Sequence, residues 1–224
     1  MLMQVLGHFK KVDPLLAKVA LKIGKVELRW RPGHDFFMTL CNTIISQQLS
    51  DKVATVITNR FENLFAGYVS AEEVIKIDPE SLRQAGMSGS KVKFIKSLAQ
   101  AVVEKQIDLP GLVNLTNEEV MQELIKLPGI GPWTAEMFLM FSLGRKDVFS
   151  VGDLGLKRAI QKLYRLEAEP SKQELLDISQ KWSPYRSYAC LVLWKMMDLP
   201  AATAATAESP AGRAAGKTGA IGAG

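Results

Sequence analysis

The chain has 224 residues, 47% apolar and 23% charged, with 28 Lys and Arg against 23 Asp and Glu for a net charge of +5. This composition supports a sizeable core and excludes wholesale disorder, and its mild positive excess admits a nucleic-acid partner while excluding a polybasic, histone-like binder. Two cysteines, Cys41 and Cys190, are too few for a disulfide framework or for the four thiolates of an iron–sulfur cluster or all-cysteine zinc finger, and two histidines, His8 and His34, are too few for a polyhistidine metal site.

In chain order, no signal-peptide pattern opens the sequence, and no apolar run approaches the length of a membrane-spanning helix. The expectation is a protein of a reducing compartment, cytoplasmic or nuclear and not secreted, with no membrane partner. Residues 24–30 alternate weakly and read as extended. Phe36, Phe37, Leu40, Cys41, Ile44, Ile45 and Leu49 recur at helical spacing, and Val53, Val56, Ile57 and Phe61 do so after Ser50, a helix N-cap by type. Val92, Ile95, Leu98 and Val102 mark another helix, and further helices are predicted over 118–127, 132–143, 154–164, 172–181 and 184–197. Residues 201–224 hold ten Ala and five Gly without periodicity, so 200–224 is expected to be a disordered tail. No succession of strands and no internal repeat is present. The fold class is all-α, expected as two helical lobes with a cleft between them: about 51–148, and 1–50 with 149–199.

Two stretches carry chemistry. Leu127-Pro-Gly-Ile-Gly-Pro-Trp-Thr-Ala135 joins two helical patterns through two glycines, with Pro132 at a first helical position. Free N–H groups of such a turn and of the following helix can receive one phosphate, although an ordinary αα-hairpin accounts for the same residues. Asp153 lies 22 residues beyond Gly131, follows a glycine and precedes an apolar-periodic segment. That makes it the N-cap of the helix over 154–164, where the helix N-terminus favours an anion.

The nine-residue hairpin and the Asp147-Val-Phe-Ser-Val-Gly-Asp153 segment, at this spacing, resemble the helix–hairpin–helix, Gly/Pro-rich-loop, Asp (HhH-GPD) superfamily of DNA glycosylases. Thr43-Ile-Ile-Ser-Gln-Gln-Leu-Ser50, Gly86-Met-Ser-Gly-Ser-Lys91 and Trp182-Ser-Pro-Tyr-Arg-Ser-Tyr-Ala189 resemble its 3-methyladenine DNA glycosylase II (AlkA-like) branch. The resemblance runs from about residue 34 to 199. About 35 residues precede it, too few for that branch's separate N-terminal α/β domain, which is expected to be lacking.

The resemblance implies Asp153 as the catalytic carboxylate, with Asp147 structural. It implies a base pocket of Trp133, Met137 and Trp194, whose indole faces attract a cationic alkylated base. Trp133 stands where lyase-type relatives carry a Schiff-base lysine, so a monofunctional enzyme using water is implied. By position Gln48 is the wedge that fills the gap left by an everted nucleotide. Gln47, Ser50, Lys91, Gly129, Gly131 and Thr134 are the other implied DNA contacts. Lys93 and Lys96 read as a solvated basic face, Arg186 as an ion-pair partner, and His34, Trp30 and Trp182 as structural. Apart from Asp147, no second carboxylate or histidine stands in a matched motif. No side chain is expected to ligate metal and no cofactor is expected, although the resemblance allows a Na or K ion on the carbonyls of Ile125, Leu127 and Ile130.

The expected function is hydrolysis of the N-glycosidic bond of alkylated purines, of 3-methyladenine and 7-methylguanine type, in duplex DNA. The expected protein is a monomer that flips the base and leaves an abasic site. Two alternatives stay open: a glycosylase of the same fold acting on hypoxanthine or uracil, and a non-catalytic DNA-structure-binding module.

Overall fold

The computed structural model describes residues 2–28, 35–65 and 68–199. Trp30, His34 and the expected disordered tail lie outside them. Among the described residues there are twelve α-helices and no strand. They are α1 (Leu2–Val12), α2 (Pro14–Ile23), α3 (Phe36–Ser46), α4 (Asp51–Glu62), α5 (Ala71–Lys76), α6 (Pro79–Gln84), α7 (Gly89–Val103), α8 (Asn117–Leu124), α9 (Pro132–Phe141), α10 (Leu154–Tyr164), α11 (Lys172–Gln180) and α12 (Arg186–Asp198), with a 3-10 turn at Pro110–Asn114.

Side-chain caps set most of the starts. Asp13, Asp35 and Ser88 each accept the N–H three residues on, while Thr116 and Ser171 form reciprocal capping boxes with Glu119 and Glu174. Ser50 holds the N-cap position of α4, but its hydroxyl makes no capping bond. The helix expected over 118–127 ends at Leu124. Turn bonds from Leu127 N to Leu124 O and from Ile130 N to Leu127 O, both 3.1 Å, take over. Residues 24–28, expected to be extended, form neither helix nor strand.

Two packing groups emerge. α2 packs on α1, α10 and α12, and α10 packs on α12; α3 packs on α4 and α7, with α5 and α6 also against α7. Residue 50 is therefore no boundary between groups, since α3 sits with the helices that follow it. Its apolar residues Leu40, Cys41, Ile44 and Ile45 are fully buried there. One continuous apolar cluster runs through both groups, from Val5 and Phe9 to Leu193 and Met196. The α8–α9 hairpin joins them: Phe138 of α9 meets Phe36 of α3 edge-on, with ring centroids 5.4 Å apart. The result brings the N-terminus of α9, the N-terminus of α10 and the last turns of α12 to one place.

Candidate active site

Three N–H donors converge on the Asp153 carboxylate. The Leu156 backbone N–H donates to Oδ1 at 2.8 Å, as an N-cap requires, and the Trp194 Nε1–H donates to the same oxygen at 3.0 Å. The Trp133 Nε1–H donates to Oδ2 at 2.7 Å. Each indole holds one oxygen, so the carboxyl plane is fixed from two sides while the group stays only half-buried. The helix N-terminus beneath it stabilises negative charge. Both tryptophans expected to grip a base thus also orient the carboxylate, a role their aromatic faces did not foretell.

Aromatic and apolar surface surrounds this anion. Trp133 is 45% exposed, Leu154 63% and Phe141 45%. The Phe141 ring lies 6.1 Å from that of Trp194, tilted by 31°. Phe141 escaped the sequence reading; its signal is its place two helical turns beyond Trp133 on α9. Met137, one turn beyond Trp133, is half-buried and packs on the core. Space is tight on the α10 side, where a Cβ on Gly155 would stand 3.0 Å from Asp153 Oδ1 and 3.4 Å from Trp194 Cδ1.

The hairpin lies directly beside the carboxylate through Trp133. Gly129 has φ +85°, and a Cβ there would strike the Phe94 ring at 2.3 Å, so the turn requires glycine. Gly131 is the exposed N-cap of α9 at φ −93°, with open space where a side chain would go. Thr134 is only 5% exposed, so its side chain is buried. What it offers is its first-turn backbone N–H, which like that of Trp133 has no intrahelical acceptor.

The turn between α3 and α4 is tied to this hairpin. The Gln47 amide donates to the Gly129 carbonyl at 2.8 Å, across 82 residues of sequence. Gln48 follows at φ +58°, exposed at the tip, and Ser50 is exposed beyond it. Lys91 departs from expectation. Its ammonium donates to the Ile45 and Gln47 carbonyls at 2.7 and 2.8 Å, closing the end of α3, and burial lowers its pKa. With two of its three N–H donors on backbone carbonyls, Lys91 has at most one left for a phosphate. Lys96 likewise caps the Ile75 and Ile77 carbonyls, leaving Lys93 as the exposed member of that row.

Structural roles fall where expected for Asp147, Arg186 and Trp182. The Arg186 guanidinium donates to Asp147 from Nε at 2.8 Å and Nη2 at 3.0 Å. Trp182 is fully buried, its Nε1–H on Asp13 at 2.8 Å. A second carboxyl, absent from the sequence reading, does lie near Asp153. Glu136 on α9 accepts the hydroxyl of the fully buried Ser150. Burial raises its pKa beyond what the Ser150 bond takes back, and the Asp153 charge raises it further. Among the described residues no cluster of His, Cys, Asp and Glu is arranged to hold a metal ion.

Residues 41–184 match the profile of the HhH-GPD superfamily base excision DNA repair proteins. The chain belongs to this HhH-GPD superfamily. It is 36% identical over 200 residues to Schizosaccharomyces pombe DNA-3-methyladenine glycosylase 1, covering 86% of each chain. It is 33% identical over 172 residues to Bacillus subtilis YfjP, covering 74% of this chain and spanning 60% of that relative. The solved S. pombe 3-methyladenine DNA glycosylase in complex with abasic DNA superposes with a TM-score of 0.75 at 31% identity, over 88% of this chain and 97% of that one. Within this HhH-GPD chain the matched span holds the α3–α4 turn, the hairpin and Asp153, but it ends before Trp194.

Proposed function

We propose that this HhH-GPD chain is a monofunctional DNA glycosylase that removes alkylated purines from duplex DNA. The observation that carries the reading is a carboxylate capping a helix, gripped by two indole N–H groups and set among exposed aromatic rings, beside a glycine hairpin. The relatives named for 3-methyladenine excision support it.

In this reading the amides of Gly131, Trp133 and Thr134 hold one backbone phosphate, giving salt-dependent affinity without sequence preference. Gln48 enters the gap as the damaged nucleotide turns out, at a cost of a few kcal/mol that a poorly paired base reduces. A purine alkylated at a ring nitrogen is cationic, so the indole and phenyl faces attract it and the base leaves readily. The bond from C1′ to the base nitrogen breaks, and the electron pair leaves with the base. Asp153 stabilises the oxocarbenium character at C1′ and accepts a proton from the water that adds there. The products are the free base and an abasic site. Trp133 has no amine, so no Schiff base forms with the sugar at that position.

Asp153→Asn tests the assignment. Base release from methylated duplex DNA should fall by about a thousandfold or more, with affinity for abasic-site DNA kept. Excision by that variant at a near-normal rate would refute the role. Duplexes with single 7-methylguanine, hypoxanthine or uracil lesions test the substrate class, and release confined to the last two overturns the alkylpurine reading.

A further inference from the structure

Asp153 stands at the end of a short turn, and the other end of that turn is held by Glu136. The Asp153 N–H donates to the Ser150 carbonyl at 3.2 Å, closing a β-turn over residues 150–153. Ser150 has no exposure to solvent, and its hydroxyl donates to Glu136 Oε2. The strand of chain leading in is pinned from α12: the Val148 N–H donates to Ser187 Oγ at 2.9 Å, and the Cys190 thiol lies against the Val148 carbonyl. Glu136 also sits three residues after Trp133, on the helix that supplies one of the indole donors. One helix therefore reaches the carboxylate twice, directly through Trp133 and indirectly through Glu136 and Ser150.

We propose that Glu136 is a positioning residue for Asp153, acting through the Ser150–Asp153 turn. The proposal rests on the glycosylase reading for its kinetic consequence, but its structural content stands apart from it. Glu136 accepts the Ser150 hydroxyl and feels the charge of the Asp153 carboxylate. Among the described residues no salt bridge to Glu136 is present. Burial beside the Asp153 charge favours the neutral carboxyl, and a neutral amide of the same shape offers Ser150 the same acceptor oxygen.

The experiment compares Glu136→Ala, Glu136→Gln and Ser150→Ala in the full chain. Under single turnover on duplex DNA containing 7-methylguanine, Glu136→Ala should release base about ten- to hundredfold more slowly, as expected for a small displacement of a catalytic group. Its Kd for abasic-site DNA should stay within about twofold of wild type. Glu136→Gln should recover most of the lost rate. Ser150→Ala should reproduce the Glu136→Ala loss, and the double variant should be no slower than either single one. Amide hydrogen exchange gives a readout free of any activity: the Asp153 N–H should lose protection in Glu136→Ala and regain it in Glu136→Gln. Wild-type rates and protection in Glu136→Ala, losses that multiply in the double variant, or a Gln variant as impaired as the Ala variant overturn the proposal. If Glu136→Ala does not fold, Ser150→Ala, one oxygen smaller than the native residue, carries the same comparison. A wild-type protein that releases no methylpurine refutes the glycosylase reading, while the exchange result still decides the role of Glu136.

Discussion

Each Asp153 oxygen has its own indole donor, and this separates two duties of one side chain that a simple truncation would confuse. Trp194→Phe keeps an aromatic face but removes the N–H on Oδ1. A hydrogen bond to a charged group is worth about 1.5–3 kcal/mol, so base release should slow roughly ten- to hundredfold while abasic-DNA affinity changes little; single-turnover kinetics and fluorescence anisotropy measure the two. The two hairpin glycines separate in the same way. Gly129→Ala must accept φ +85° and a clash with Phe94, and should lose about 2–4 kcal/mol of stability in urea denaturation. Gly131→Ala has room and an ordinary φ, so its stability should change by less than about 0.5 kcal/mol. The reading from sequence placed both glycines at a phosphate and could not distinguish them, because a positive φ and the position of Phe94 are facts of tertiary structure.

Helices are held to one another by buried polar groups as well as by apolar faces. Asp13, 3% exposed, caps α2 through the Leu16 N–H and also receives the Tyr164 hydroxyl of α10, the Trp182 indole and the Lys181 ammonium. Burial raises its pKa, but these donors outweigh it and the net shift is downward. Its stabilisation is therefore complete above the unfolded aspartate value of about 3.9 and is lost as pH falls through the lower folded value. Asp13→Ala, which strands these donors, should cost about 3–5 kcal/mol at neutral pH, and Asp13→Asn should flatten the acid side of a stability-against-pH curve. Lys91→Ala should destabilise by about 1–2 kcal/mol through the uncapped end of α3 and leave the salt dependence of DNA binding unchanged. A slope reduced by one unit would restore it to the phosphate contacts. Helices 9, 10 and 12 were legible because their apolar periods are long and a cap or proline marks the first two. Six-residue α5 and α6 are too short to show a period, whereas α1 and α2 carried one in Val5, Phe9 and Leu16, with Asp13-Pro14 as a start signal that went unread. Glu136 was not legible at all, since its partner Ser150 lies 14 residues away on another segment.

At the scale of the molecule, the all-α class and the order of hairpin and aspartate followed from residue type and spacing, but the grouping of helices did not. Sequence order placed α3 with the N-terminal segment, while packing places it against α4 and α7 and passes α2 across to α10 and α12. Side-chain burial, not chain proximity, decides which helices share a surface. The ring of donors on Asp153 draws on α9, on α10 itself and on α12, the last described helix. Synthesis runs from the N-terminus, so a growing chain presents the aspartate and its first indole well before Trp194 has been made. Until α12 emerges and docks, Oδ1 lacks its indole donor, and the nascent protein carries a half-assembled centre. In the proposed glycosylase, the full rate of base release thus awaits the docking of α12 against α2.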